Sequence, residues 1–389
     1  MNQRIEAIDA VRGFALFGIL LVNMTLFQFG MFGSEKTPYI FEPFDQGADW
    51  FIEFFGTGNF IALFSFLFGV SIIMLQNSAI KKERRFFPIY IRRMLLLLVI
   101  GFLHLTFIWD GDILFSYGIV GIFLMMFINR KPKTLLIWTI ILLGLMMLIT
   151  YPSESSSDDF ADFGTYIQKE QHIHETGSYI DHVTFRMTED PFEGTEFSGP
   201  FAFIFLSILM VIYLLPTFLF GMYVAKKGWL FHIEEHLSFI KKVCITTGIF
   251  SFSVKLIALV TEQPIAVMLK DSVSHLAMAL FYASSIILLV HAKKAPLLFK
   301  RMANMGKMSV SNYLMQSIIA TTIFYAYGFG LFSKIGLFFG LILTVIIYTV
   351  QLFASTYWLQ KFQMGPVEYV WRLWTYWGLP TFKQNKKAS

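Results

Sequence analysis

Long apolar runs broken by short polar stretches set the rhythm of this chain. A helix needs roughly 20 apolar residues to cross a hydrocarbon layer about 30 Å thick. Ten segments approach that length, near 12–32, 56–77, 94–109, 112–129, 134–151, 199–224, 243–261, 273–292, 309–332 and 335–359. The third is short, and it reaches span length if Arg92 and Arg93 snorkel at one end while Trp109 marks the interface at the other. The pattern predicts an all-α integral membrane protein of about ten transmembrane helices. Its division would be a five-helix half over 1–151, an outer loop over 152–198, and a second five-helix half over 199–389 that ends in an interfacial tail.

Composition agrees. Of 389 residues, 56% are hydrophobic, 45 are Phe and only 15% are charged; mean hydropathy is +0.61, well above that of a soluble domain. The first apolar run is too long for a cleavable signal peptide and has no small-residue cleavage site. The sole cysteine, Cys244, cannot form an internal disulfide.

Charge orients the helices, because short loops rich in Lys and Arg stay cytoplasmic. The loops KKERRFFPIYIRR, NRKPK, AKKGWLFHIEEHLSFIKK and HAKKAPLLFKRMANMGK alternate with poorly basic ones, and the tail adds Lys361, Arg372, Lys383, Lys386 and Lys387. Only Lys36, Lys169, Arg186, Lys255, Lys270 and Lys334 fall elsewhere, which leaves 25 of the 31 basic residues on the inner side. Both termini are expected in the cytoplasm. Membrane orientation accounts for the net charge of +5, so nucleic acid is not an expected partner. The one long outer segment is acidic, and is too short and polar for an independent domain, so it is expected to cap the outer face. Its His172, His174 and His182 with Asp181 form a weak metal pattern, and solvated histidines explain them as well. No metal site is expected, and no Walker loop, dinucleotide turn, HExxH or Gly-x-Ser-x-Gly motif is present.

Chemistry must then come from polar residues inside the helices, where burial is costly. The opening stretch RIEAIDAVRGFALFGILLVN places Asp9 and Arg12 three apart, close enough to pair on one helix face, and puts Asn23 about three turns deeper on nearly the same face. A polar path from the inner mouth to the midplane is expected along that stripe, with Asn23 near a developing negative charge. A headgroup anchor at Arg12 and an interhelical bond at Asn23 are the alternative. His104 precedes WDGDIL, so His104, Asp110 and Asp112 can meet at the outer end of a helical hairpin. An imidazole oriented by a carboxylate is the minimum for general-base work on a hydroxyl or amine, although a structural hydrogen bond explains the trio equally. Arg12, Arg92 and Arg93 at the inner mouth suit donor phosphates, since Arg matches phosphate bidentately. Lys255 lies close enough to its helix end to snorkel, and Gly336 with Gly340 forms a close-packing pair. The tail FQMGPVEYVWRLWTYWGL, with Glu368 and Arg372, suits an interfacial helix.

The segments RIEAIDAVRGFALFGILLVNM, NFIALFSFLFGVS, RRMLLLLVIGFLHLTFIWDGDILFSYG and GKMSVSNYLMQSIIATTIFYAYGFGLF with STYWLQKFQMGPVEYVWR resemble the YeiB-like bacterial membrane proteins over nearly the whole chain. The resemblance implies a bacterial cytoplasmic membrane location and names no reaction. More distantly the pattern is similar to transmembrane acyltransferases such as heparan-alpha-glucosaminide N-acetyltransferase. Those share an opening Asp-x-x-Arg-Gly, here Asp9, Arg12 and Gly13, and the heparan enzyme also has Asn at the position of Asn23. Their late Ser-x-x-x-Tyr-x-x-His pattern is similar to Ser309, Tyr313 and Gln316, which the resemblance assigns to a substrate pocket. Two departures stand out. The loop 33–55 has Asp45 and Asp49 but none of the His that the heparan enzyme uses there, and Gln316 cannot shuttle a proton as His can.

The sequence thus supports an acyltransferase that carries an acyl group from a cytoplasmic thioester such as acyl-CoA, used as a substrate and not held covalently, to a small-molecule or lipid-linked acceptor. A transporter of a small acid or lipid-linked metabolite and a non-catalytic scaffold are the alternatives. A homodimer is one assembly it permits.

Overall fold

The computed structural model describes residues 3–31, 40–151, 164–193, 199–261, 263–378 and 382, without the side chains of 3–5 and 200–204. The charges at Lys36, Lys383, Lys386 and Lys387, and the acidic stretches 152–163 and 194–198, lie outside these residues.

Sixteen α-helices run through the described residues: α1 Gln3–Phe29, α2 Phe44–Phe51, α3 Asn59–Lys81, α4 Phe86–Phe107, α5 Leu114–Leu124, α6 Pro132–Ile149, α7 Gly164–Thr176, α8 Tyr179–Thr188, α9 Pro200–Lys226, α10 Ile233–Thr261, α11 Pro264–Asp271, α12 Val273–His291, α13 Pro296–Lys307, α14 Ser309–Phe324, α15 Leu337–Lys361 and α16 Pro366–Tyr376. Eight helical segments are long and apolar enough to cross a membrane. This is a multi-pass membrane protein. Two of the ten expected spans form shorter helices, α5 and α14. After α14 the chain folds back, with Phe329 N donating to Thr322 O and Phe332 N to Phe324 O, in place of two further turns of helix.

The first helix is the hub. It packs on α3, α12, α13, α14 and α15, so the two halves of the chain interlock. Its approach to α13 is backbone to backbone, since a Cβ on Gly13 would lie 2.0 Å from the Met302 carbonyl oxygen and one on Gly306 2.0 Å from that of Asp9. Small residues permit such contact where lipid supplies no hydrophobic drive between helices. It brings the charged start of α1 against the end of α13.

Gly336 and Gly340 are close-packing positions, each against a side chain of a neighbouring helix. A Cβ on Gly336 would meet the Asp45 carboxylate at 2.1 Å, and one on Gly340 the Gln28 amide at 2.0 Å. Gln28 Nε2 donates to the carbonyls of Ile335 and Gly336, and Asp45 accepts from the backbone of Ile40, Phe41 and Phe338. These side chains satisfy backbone groups around the start of α15, where an anion also complements the helix dipole.

Three further expectations change. The helix α4 starts at Phe86, so Arg92 and Arg93 sit inside it and not at its end. Trp109 is fully buried against Phe27, with ring centroids 4.1 Å apart, and marks no interface. Lys255 does not snorkel: it is 3% exposed, and its Nζ donates 2.7 Å to Phe54 O. That carbonyl belongs to a π-turn, Ile52–Gly56, whose widened ladder offers acceptors to outside donors.

Candidate functional site

The basic loops converge at one end of the bundle, where a cavity of about 510 Å³ opens between α1, α3, α4, α5 and α16. Its mouth carries Asp9, Arg12, Arg93, Lys307, Glu368 and Arg372. Its deeper wall is apolar, built from Phe64, Leu67, Phe68, Leu97, Leu114 and Tyr117. Polar atoms at one end and rings and aliphatics at the other suit a ligand of the same asymmetry.

Arg12 is held from two sides. Its Nη1 donates 2.7 Å to Asp9 Oδ1, and its Nη2 donates 2.7 Å to Ser71 Oγ on α3. Glu368 of α16 accepts from the backbone N–H of Val310 and Ser311 and from Ser311 Oγ, and so caps the start of α14 where the chain breaks at Met308. The fold places Ser309 in the cavity wall. Arg92 is kept out of it. Its guanidinium lies 4.0 Å from the Trp377 ring centroid and its Nη1 donates to Thr375 O, while Trp374 Nε1 donates to its carbonyl. Cation–π contact with the tail helix has taken the place expected for a phosphate.

Asn23 also stays away from the cavity. It is half-buried, and its amide has no hydrogen-bond partner among the described residues. Between it and Arg12 the same face of α1 presents Ala15, Leu16 and Ile19, all buried in the core, which closes the expected polar stripe. The cavity turns instead from Arg12 toward α3 and α5.

Beyond its apolar wall, two residues from Leu114, lies a buried pair. His104 Nδ1 lies 2.8 Å from Asp112 Oδ1, in hydrogen-bond contact, with the two side chains 1% and 0% exposed. Asp112 Oδ2 accepts 2.6 Å from Phe115 N at the start of α5, which fixes the carboxylate. With Asp112 as acceptor the ring proton is on Nδ1 and the lone pair on Nε2, an atom with no hydrogen-bond partner among the described residues. The Tyr313 ring packs 5.3 Å from the imidazole, and its hydroxyl accepts from Ile113 N at 3.3 Å.

Asp110 does not join this pair. It faces the opposite end of the molecule, among Glu170, His174 and Arg186, and burial raises its carboxyl pKa, with Glu170 adding to the rise. Gln316 leaves the expected pocket too. Its Nε2 donates 2.9 Å to Gln351 Oε1, Gln351 donates to Asn312 O, and Asn312 bonds Ser355, a polar ladder that joins α14 to α15.

The histidines of the outer loop are not all solvated. His172 is exposed, but His174 and His182 are 2% and 1% exposed, stacked on each other and on Tyr325, with His174 and Tyr325 centroids 4.0 Å apart. Burial pushes each imidazole down to about 4. The helices α7 and α8 dock through these rings and through Tyr179 Oη to Phe107 O, Arg186 Nη1 to Thr106 O and Ala326 N to His174 O. Asp181 caps α8 with Ser178. Among the described residues no group of three or more His, Cys, Asp or Glu is disposed to hold a metal.

With the geometry in view, comparison with known proteins gives the lineage. The chain is 32% identical to the uncharacterized protein YxaH of Bacillus subtilis (strain 168) over 391 residues, covering 96% of this chain and 95% of YxaH. The chain belongs to the YeiB-like family. It is 28% identical to the uncharacterized protein YeiB of Escherichia coli (strain K12) over 395 residues, covering 95% of this chain and 96% of YeiB. It is 27% identical over 407 residues to an uncharacterized 39.9 kDa protein in the amylase 3' region of Bacillus acidopullulyticus, covering 97% and 95%. Residues 224–378 match a family described as a protein of unknown function (DUF418). That segment contains Lys307, Glu368 and Arg372, the cavity residues on the C-terminal side that the polar pattern of the sequence did not single out as a site. The signal available was Glu368 and Arg372, an acid and a base in an otherwise aromatic tail.

Proposed function

We propose that this YeiB-like protein is a membrane-embedded acyltransferase whose thioester donor enters from the cytoplasm. The single observation that carries the reading is the His104–Asp112 pair, a buried imidazole hydrogen-bonded to a carboxylate two residues from the apolar end of the cavity at Leu114. Positive loops orient the cavity mouth toward the cytoplasm. In the reaction the acceptor's hydroxyl or amine attacks the thioester carbonyl carbon, the carbon–sulfur bond breaks, and the acyl group forms an ester or amide. His104 Nε2 takes the acceptor's proton and returns it to the leaving thiolate, while Asp112 stabilises the transient imidazolium. Arg12, fixed by Asp9 and Ser71, offers its charge at the donor's anionic end.

The broken helix α13–α14 at the cavity mouth favours a second reading, transport of a small acid, because interrupted helices flank many transporter sites. One experiment separates them. The purified protein is offered a panel of acyl-CoA thioesters with membrane extract as acceptor source, and thermal stability, free thiol and acylated product are followed together. A donor that binds only the folded state raises its stability by mass action, so even a slow enzyme reports its donor. Stabilisation with thiol release supports transfer. Uptake of a small acid into proteoliposomes, with no thiol released from any thioester, overturns it in favour of transport.

A further inference from the structure

Outside the cavity mouth lies a second hollow of about 480 Å³, lined by Ser78, Lys82, Arg84, Arg93, Arg372 and Tyr376. It shares Arg93 and Arg372 with the cavity, so the two spaces adjoin. No carboxylate lines it, and none of the four cations has an ion-pair partner among the described residues. The acids nearby are engaged elsewhere or turned to water. Asp9 holds Arg12, Glu368 holds the start of α14, and Glu83 is exposed and forms no ion pair among the described residues. Aromatic faces hold two of the guanidinium groups in place, Arg84 at 5.4 Å from the Tyr376 centroid and Arg93 at 5.7 Å from that of Trp371.

Basic loops on the inner side of a membrane protein ordinarily spread their charge along the surface. Here four cations from three elements, the turn after α3, α4 and α16, face one space with no ion-pair partner among the described residues, and an anion between them would relieve their mutual repulsion. Three of the four are Arg, whose fork matches phosphate oxygens bidentately.

We propose that this hollow is a binding subsite for a ligand carrying at least two phosphate groups, whose apolar arm then reaches into the adjoining cavity. A nucleotide ester fits that description; an anionic lipid headgroup shares its phosphate chemistry. The assignment deepens the acyl-transfer reading, since a nucleotide thioester is the donor of that reaction, but binding tests it separately.

The test uses the full chain in phosphatidylcholine nanodiscs, titrated with adenosine 3′,5′-bisphosphate and followed by thermal shift and calorimetry. The nucleotide is expected to stabilise the protein. Arg93→Gln and Arg372→Gln should each raise its Kd about tenfold, the loss expected for one charge-assisted contact. Arg372→Lys, which keeps the charge and loses the fork, should fall between the unaltered protein and Arg372→Gln, and Arg130→Gln, an exposed cation outside the hollow, should change nothing. A second arm replaces the nucleotide with cardiolipin, whose headgroup carries two phosphates, in the nanodisc. If only that lipid stabilises, and the same two variants abolish the effect, the phosphates belong to a headgroup and the subsite stands. If neither probe binds, or if binding is indifferent to Arg93→Gln and Arg372→Gln in variants that still unfold cooperatively, the proposal is overturned. Nucleotide binding without acyl transfer would overturn the reaction and spare the subsite. Acyl transfer with unaltered KM in both variants would do the reverse.

Discussion

Arg93 and Arg372 at the basic end, and His174 and His182 at the opposite end, are clustered nitrogen bases with very different surroundings. The cations border open space and have no ion-pair partner among the described residues. The imidazoles are packed ring on ring, with Tyr325 completing the stack and burial holding them neutral. Clustering alone therefore does not mark a ligand site. A cluster that surrounds room suits an occupant, whereas one that fills its own room stabilises a contact between elements.

The largest effect should come from breaking the scaffold of the basic end. Gly13→Leu drives a side chain into the Met302 backbone, and no side-chain rearrangement can relieve that clash. We expect a loss of about 3 kcal/mol or more, read as a collapse in the yield and thermal stability of monodisperse protein. Gly144→Leu, where nothing lies within 4 Å, should leave both unchanged. Equal behaviour of the two variants would remove the α1–α13 contact as the support of the cavity.

Next in size is a contrast between two buried imidazoles. His104→Ala should lower acyl transfer by about 10²- to 10⁴-fold, the usual range for a positioned general base, and leave donor-induced stabilisation intact. His174→Phe should keep turnover, since it preserves the stacked ring. Normal turnover in His104→Ala would make that residue structural as well.

A pH titration sharpens the same contrast. His174 and His182 have native pKa values near 4, below the ordinary value of 6.5. The unfolded cap therefore binds more protons in that window, and its docking should be intact above pH 6.5 and weaken as pH falls toward 4. Asp110, raised by burial, opposes this, because its protonation favours the docked state as pH falls. With two imidazoles against one carboxyl we expect net weakening, measured as faster hydrogen exchange in α7 and α8. The His174→Phe, His182→Phe double variant should flatten the profile. A profile unchanged by that variant would mean that other groups govern docking.

The smallest effect lies between the two ends. Gln316→Leu removes one link of the ladder to Gln351 and should cost about 0.6 kcal/mol, typical of a hydrogen bond between membrane helices. A tenfold loss of donor affinity there would return Gln316 to the ligand site.

How much of the site was legible follows from how local each feature is. The Asp9–Arg12 pair is a contact between residues three apart on one helix, so spacing reveals it. His104 and Asp112 are eight apart across a tight turn, and the hairpin that joins α4 to α5 leaves them little choice. Asp110, two residues earlier in the same turn, could not be separated from Asp112 by spacing. Only the docking of α7 and α8 draws it to the other side. Arg92 and Arg93 are likewise indistinguishable in sequence, yet one is covered by Trp377 and the other faces the hollow, because α16 packs across α4 at one angle.

By itself the sequence determined that this is an all-helical multi-pass membrane protein and picked out most of its long apolar helices, because hydrophobicity and charge are properties of each segment singly. The tertiary structure decided which polar side chains meet and which face open space. Each helix can rotate about its axis at little local cost, and the rotation is chosen by contacts hundreds of residues apart. Gly13 against Met302 sets the face that Arg12 presents, and Asp45 and Gln28 fix the start of α15. Hydropathy is blind to both.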